Sequence, residues 1–128
     1  MHDSDIICTA TAARSPILAR IDLPERCHIN AIGSSALGFQ ELHEDIYQDS
    51  ALFTDCNQSV LAASECVIKA VHKGLLSGQG AGTEIGTLCA DDTRAQQQSV
   101  TIFKSVGLAV QDLVFSREAI RQWVAASR

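Results

Sequence analysis

Three apolar runs in this chain end in small or hydroxyl-bearing residues. Thr9 and Thr11 follow Asp5-Ile6-Ile7-Cys8, Gly33-Ser34-Ser35 follow Cys27-His28-Ile29-Asn30-Ala31-Ile32, and Lys104-Ser105 follow Val100-Thr101-Ile102-Phe103. A hydroxyl both donates and accepts hydrogen bonds, and a glycine lets a ligand approach the main chain closely. If the runs are parallel strands, these residues sit at the carboxyl ends, where open α/β sheets bind their ligands. Loops after strands are also small and polar where nothing binds, so composition alone leaves both readings open.

Other residues carry weaker chemistry. Gly78-Gln79-Gly80-Ala81-Gly82-Thr83-Glu84-Ile85-Gly86 looks like a dinucleotide fingerprint. Such a loop must follow a strand and open a helix, so that helix-terminal N–H groups meet the phosphates. Here the glycines follow a helical stretch and read as a helix C-cap and turn. His28 lies inside a strand pattern with Asn30, and reads as a satisfied core histidine sooner than a catalyst. Glu41, Glu44 and Asp45 read as a solvated helix face. His43 beside them offers a weak metal set at most, and no metal is expected. No Ser/His/Asp or Cys/His nucleophile arrangement follows from the spacing.

The elements that position these residues alternate. Unbroken apolar runs at Asp5–Ala10, Cys27–Gly33, Ala51–Asp55 and Val100–Phe103 predict short parallel strands buried on both faces. Glu41–Gln48 predicts a short helix. Asn57–Leu76 predicts a long one, because Val60, Ser64, Val67, Val71 and Leu75 form a stripe at helical spacing. Asp55 or Asn57 caps its start, and Gly74 and Gly78 lie near its end. The tail from about Gly107 to Ala126 predicts a helix with Ser116 as a candidate break and an apolar face of Leu113, Ile120, Trp123 and Val124. Strands alternating with helices predict a single α/β domain over residues 1–128 with a parallel sheet.

Composition excludes several classes. The 128 residues are 46% hydrophobic and carry a net charge of −5. That acidic balance, with arginines scattered, argues against a nucleic-acid partner. No apolar run approaches the roughly 20 residues of a membrane span. The start, Met1-His2-Asp3-Ser4-Asp5, is acidic where a secretory leader is basic. Five cysteines without a CxxC pair point to reduced thiols and a cytoplasmic location, with Cys8 and Cys27 as small core residues.

Five segments in order carry a resemblance. They are Asp5 to Pro16, His28-Ile-Asn-Ala-Ile-Gly33, Gln40-Glu-Leu42, Thr83-Glu-Ile-Gly86, and Thr101 to Asp112. Together they resemble the ornithine cyclodeaminase/mu-crystallin family from Asp5 to about Trp123. The resemblance implies half of a Rossmann-type NAD(P)-binding domain, a three-layer α/β sandwich with a short parallel sheet and a returning carboxyl-terminal helix. It implies hydride transfer between a nicotinamide and the carbon bearing an amine or imine. By resemblance, Thr9, Ile32, Gly33, Ser34, Ser35 and Ser105 line the NAD or NADP cofactor, and Val106 faces the substrate.

Two departures shape the expected activity. Cyclodeaminases carry a proton-transferring aspartate where this chain has Ser35, and a lysine where it has Phe39. Serine also stands at the first position in mu-crystallin-like ketimine reductases, so imine reduction is favoured over ornithine cyclisation. The family's amino-terminal domain and its glycine-rich βαβ unit have no counterpart in these residues, which start about where a fourth Rossmann strand begins. The expectation is a truncated oxidoreductase that keeps part of a cofactor site, binds dinucleotide weakly or not at all, and is inactive alone. The alternatives are an interaction module that assembles through an exposed sheet edge, or an enzyme active as an oligomer. A homo-oligomer, a dimer first, is expected because the missing half leaves Asp5–Ala10 or a strand near it as an edge.

Overall fold

In a computed structural model of the chain, residues 3–78, 81–91 and 98–127 are described. Five parallel strands form one sheet: β1 (Ile6–Thr9), β2 (Cys27–Ala31), β3 (Ser50–Thr54), β4 (Thr83–Glu84) and β5 (Val100–Lys104), in the order β1-β2-β5-β3-β4. The helices are α1 (Asn57–Ala63), α2 (Glu65–His72), α3 (Ile85–Asp91) and α4 (Ala109–Ala126), with a 3₁₀ segment at Glu44–Asp49. The four expected strands are present. β4 was not expected, since two residues carry no readable alternation.

The register sorts the side chains into two faces. Ile7, Ile29, Ile102 and Leu52 lie side by side and are buried, as are Cys27 and Val100 in the row before them. The 3₁₀ segment, α1 and α2 cover this face with Ile46, Tyr47, Val60, Cys66, Val67 and Ala70. The other face carries Ile6, Cys8, His28, Asn30, Thr101 and Phe103, and is only partly covered. Ile6 is 65% exposed and Cys8 is exposed too. Burial on both faces therefore fails at β1, and Cys8 is not a core residue. Cys27 is one, and burial pushes its thiol pKa up.

Handedness explains the asymmetry. Right-handed crossovers that step along the sheet in one direction keep their helices on one face. The return from β4 to β5 runs the other way and carries α3 to the opposite face. There Ile85 and Leu88 stand over Phe53 and Phe103.

The long helix expected over Asn57–Leu76 is two helices. Ser64 adopts an extended ψ of 103° between them, and both segments still direct residues of the stripe (Val60, Ser64, Val67) into the core. Its hydroxyl makes no hydrogen bond, so packing and not a side-chain cap accompanies the break. The second helix closes with Gly74 at φ +71°, Gly74 N–H donating to Val71 O and Leu75 N–H to Ala70 O at 2.9 Å each. That is a Schellman cap made by Gly74. Gly78 follows it, and Gly80 lies outside the described residues. Gly82 serves a different need, because a Cβ there would sit 2.5 Å from Leu52 O. Gly86 lies within α3, so the segment packs as a turn and a strand approach.

α4 is unbroken at Ser116 and buries none of its residues. It does not return onto the sheet. No helix among the described residues is long and apolar enough to cross a membrane.

Candidate functional site at the strand ends

The last row of the covered face consists of Thr9, Ala31, Lys104, Thr54 and Glu84. Here the sheet turns polar. Lys104 continues the alternation of Val100 and Ile102, so it is fully buried with its stem in the core. Its Nζ donates to Gly33 O at 2.5 Å, tying the end of β5 to the loop after β2. Burial pushes its pKa down, while Cys66, Glu41 and Asp55 favour the charged form.

Glu41 is also fully buried, which corrects its reading as a solvated residue. It precedes the 3₁₀ segment that replaces the expected helix Glu41–Gln48. Thr9 Oγ1 donates to its Oε2 at 2.9 Å and Thr11 N–H to its Oε1 at 2.5 Å. Its carbonyl accepts from Ile17 and Leu18 N–H at 2.7 and 3.2 Å. Gly33 packs against this carboxylate so closely that a Cβ would lie 2.3 Å from Glu41 Oε1 and from Thr11 N. Glu44 is buried as well, and accepts from Gln40 Nε2 at 3.0 Å and from Lys73. The Lys73 ammonium holds the Glu44 carboxyl down at about 2. His43, Glu41, Glu44 and Asp45 do not converge, and no metal-holding cluster exists among the described residues.

These anchors shape a cavity of about 270 Å³ lined by Thr11, Ala12, Gly33, Ser34, Ser35 and Phe39. Ser34 sits at φ +49°, held by its N–H to Thr11 O at 2.8 Å and its hydroxyl to Ala13 O at 3.1 Å. The Arg14 guanidinium stands 4.7 Å over the ring of Phe39, a lining residue. Ser35 and Ile32 are exposed. Thr9 is not among the lining residues, and its hydroxyl is committed to Glu41. Ser105 reaches the same end of the sheet through its N–H to Ala31 O at 3.4 Å, and Val106 packs partly buried against the core.

On the next strand, Asp55 organises Ser105. Its Oδ2 accepts from Ser105 Oγ at 2.6 Å and its Oδ1 from Cys56 N–H at 2.8 Å. Neither Asp55 nor Asn57 caps α1 through its side chain, and Cys56 is the N-cap. Asn57 instead brackets Gly82, with its Nδ2 donating to Gly82 O at 2.7 Å and its Oδ1 accepting from Gly82 N–H at 3.1 Å. Sequence reasoning named Lys104 at a strand end but not its burial, and missed Glu41 and Asp55 as residues of the site. The signal for Lys104 was the period-two burial of its strand, and for Asp55 its place at a strand end.

A larger cavity, about 440 Å³, lies at mid-strand on the open face between Phe53, Phe103, Ile85 and Leu88. His28 forms its polar floor, with Nδ1 2.7 Å from Thr101 Oγ1 and Nε2 3.3 Å from Asn30 Oδ1. His28 is therefore satisfied by its neighbours. The apolar walls are those of a sheet face that α3 covers only in part.

A parallel sheet whose strand ends present glycine, hydroxyls and backbone has the open α/β architecture that binds ligands beyond those ends. The chain is a member of the ornithine cyclodeaminase/mu-crystallin family, which matches residues 1–127. Ketimine reductase mu-crystallin of Mus musculus is 32% identical over 120 residues, covering 94% of this chain and 36% of that protein. Δ1-pyrroline-2-carboxylate reductase of Thermococcus litoralis, solved with NADH and L-proline, superposes with a TM-score of 0.87 at 28% identity, over 98% of this chain and 40% of that one. An archaeal alanine dehydrogenase dimer with bound NAD gives a TM-score of 0.81 at 28% identity, over 97% and 39%. The chain thus spans roughly two-fifths or less of these relatives' length.

Proposed function

We propose that the strand-end cavity is the nicotinamide end of an NAD(P) site, belonging to an imine or amino-acid oxidoreductase. The observation that carries this is the convergence of Gly33, Ser34 and Ser35 with Thr11 on one cavity at the carboxyl ends of β1 and β2. Its volume, about 270 Å³, falls below the roughly 300–1,000 Å³ of a complete small-molecule site. It suits one ring and its ribose, not a whole dinucleotide. Bound there, a nicotinamide supplies or takes a hydride. The chain's own part is to hold the ring: Gly33 admits it to the backbone, Ser34 and Thr11 wall it, and Ser105 offers a hydrogen bond. Val106 is the residue proposed to face the substrate.

No glycine-rich loop follows a strand and opens a helix among the described residues. The helix-terminal N–H groups that hold a pyrophosphate are therefore not supplied by them. The isolated chain binds NADH and NADPH more weakly than micromolar and does not turn over on its own. Isothermal titration tests this, and a micromolar or tighter constant for either nucleotide would overturn it. Ser35 has no ionisable group for general-base work near neutral pH. Ammonia release from ornithine with NAD stays at background, and release abolished by Ser35→Ala would refute that assignment.

A second reading is assembly. β1 is an edge strand with Ile6 exposed, and α4 is unburied. An unpaired apolar edge recruits further chains. A homodimer is the first arrangement to look for.

A further inference from the structure

We propose that α4 docks on the open sheet face of a second copy of this chain, with Trp123 as the anchor that fills the cavity over His28. This rests on the assembly reading above and deepens it by naming the two surfaces that meet.

Three observations bring these surfaces together. The first is area. At helical spacing Val110, Leu113, Ile120, Trp123 and Val124 fall along one side of α4, and all five are exposed. The open face offers exposed Ile6 and Ile85, with Leu88, Phe53 and Phe103 around a cavity of about 440 Å³. At roughly 100 Å² for each such side chain, the helix and the face of one copy bring on the order of 800 Å². A two-fold pair that exchanges helices buries about twice that, the size of a standard stable interface.

The second is the chemistry of the cavity. Asn30 Nδ2 donates to Cys8 Sγ at 3.8 Å, which leaves its Oδ1 facing His28 Nε2 at 3.3 Å. A carbonyl oxygen only accepts, so His28 Nε2 carries the proton, and Nδ1 accepts from the Thr101 hydroxyl at 2.7 Å. The floor keeps lone pairs on Asn30 Oδ1 and Thr101 Oγ1. The occupant that fits has a broad apolar body and one donor. An indole has both, and Trp123 is the chain's one tryptophan.

The third is the link before α4, which keeps the helix from its own sheet. Ser105 Oγ donates to Asp55 Oδ2 at 2.6 Å, Gly107 N–H reaches the same oxygen at 3.3 Å, and Leu108 N–H donates to Gln111 Oε1 at 3.1 Å. Gly107 turns the chain at φ +82°. So pinned, α4 starts at the carboxyl end of β5 and buries none of its residues. Folding it back to the mid-strand cavity of its own sheet breaks these bonds, and the helix of another copy meets no such restraint.

The test uses the full 128-residue chain and the fluorescence of its single tryptophan. On dilution through the micromolar range, the mass from light scattering should halve while Trp123 emission moves to the red, with one midpoint for both. Trp123→Arg, on a helix that buries nothing, and Ile85→Arg, at the exposed wall of the cavity, should each weaken association at least about tenfold, as at a hot spot. The Trp123→Arg chain has no tryptophan and an intact face. Adding it to the Ile85→Arg chain should turn the emission of the latter blue, and no change on mixing overturns the proposal. If Ile85→Arg does not fold, acrylamide quenching of the wild-type chain decides: access to Trp123 should rise on dilution, and constant access overturns the proposal. Doubled mass with Trp123 still in water overturns it too, and leaves the assembly reading in place through another surface. Blue emission from a chain that stays monomeric shows α4 on its own sheet, which also overturns it. A monomer with red emission throughout removes the assembly reading and this proposal together.

Discussion

Around the carboxyl ends of the strands, buried charge and backbone are knitted together. Glu41 takes Thr9 and Thr11, Lys104 takes Gly33 O, and Asp55 takes Ser105 and Cys56. In α4 the reverse holds, with Phe115 74% and Trp123 71% exposed and an ion pair, Arg121 with Glu118, internal to the helix. The strand-end region carries its own partners within the chain. α4 and the open sheet face are built of side chains whose burial this chain does not provide. A buried polar group left alone costs far more than an exposed apolar one. The two regions should therefore respond to substitution in opposite ways.

The sharpest break comes at Glu41. Glu41→Leu removes the acceptor of two donors and a counter-charge near Lys104, and should cost about 3–5 kcal/mol in urea unfolding. A loss below about 1 kcal/mol would show that the strand ends relax freely. Gly33→Ala comes next. Its Cβ would collide with Thr11 backbone as well as with Glu41, so a loss of about 1–3 kcal/mol is expected, measured in the same way.

Glu44 tests the rim of this region by pH. Its carboxyl is held at about 2, below its ordinary 4.5, chiefly by Lys73. A depressed carboxyl stabilises the fold above its unfolded value and loses that contribution as pH falls, here between about 4.5 and about 2. Lys73→Met should flatten the stability slope across that window and cost only about 0–1 kcal/mol at neutral pH, because the lysine is largely exposed. An unchanged acid slope would assign the pairing no energetic weight.

The smallest effect on folding is expected in α4. Ile120→Glu with Trp123→Glu should leave unfolding free energy within about 0.5 kcal/mol, since neither side chain is buried. It should reduce self-association seen by light scattering across micromolar concentrations. A chain that is monomeric before and after would leave the second reading without support. A chain that unfolds would show that α4 packs in solution.

The sheet was legible because apolar runs at β1, β2, β3 and β5 are bounded by small residues, and parallel pairing needs little else. The expected strand-end residues Gly33, Ser34 and Ser105 were reached by the same logic. What escaped has one cause. Glu41 and Asp55 are charged, and one-dimensional patterns give a charge a local place, a solvated helix face for Glu41 and a helix cap for Asp55. Only the folded chain shows that Thr9, Thr11 and Ser105 were waiting for those carboxylates. The break at Ser64 was equally hidden, because a helical stripe that continues across a kink looks uninterrupted in sequence. Cys8 was misjudged because periodicity says which residues share a face, but not whether anything covers it.

The strand order has a consequence in time. β5, the last in sequence of the strands among the described residues, lies between β2 and β3, which are not hydrogen-bonded to each other. Cys27 waits for Val100, and so does Ser50. A nascent chain still short of Val100 can pair β1 with β2, and β3 with β4, but has nothing to join the two pieces. Closing such long loops is entropically slow, and the open pieces expose Ile29 and Leu52 in the meantime. The insertion of β5 is thus what joins the two pieces into one sheet.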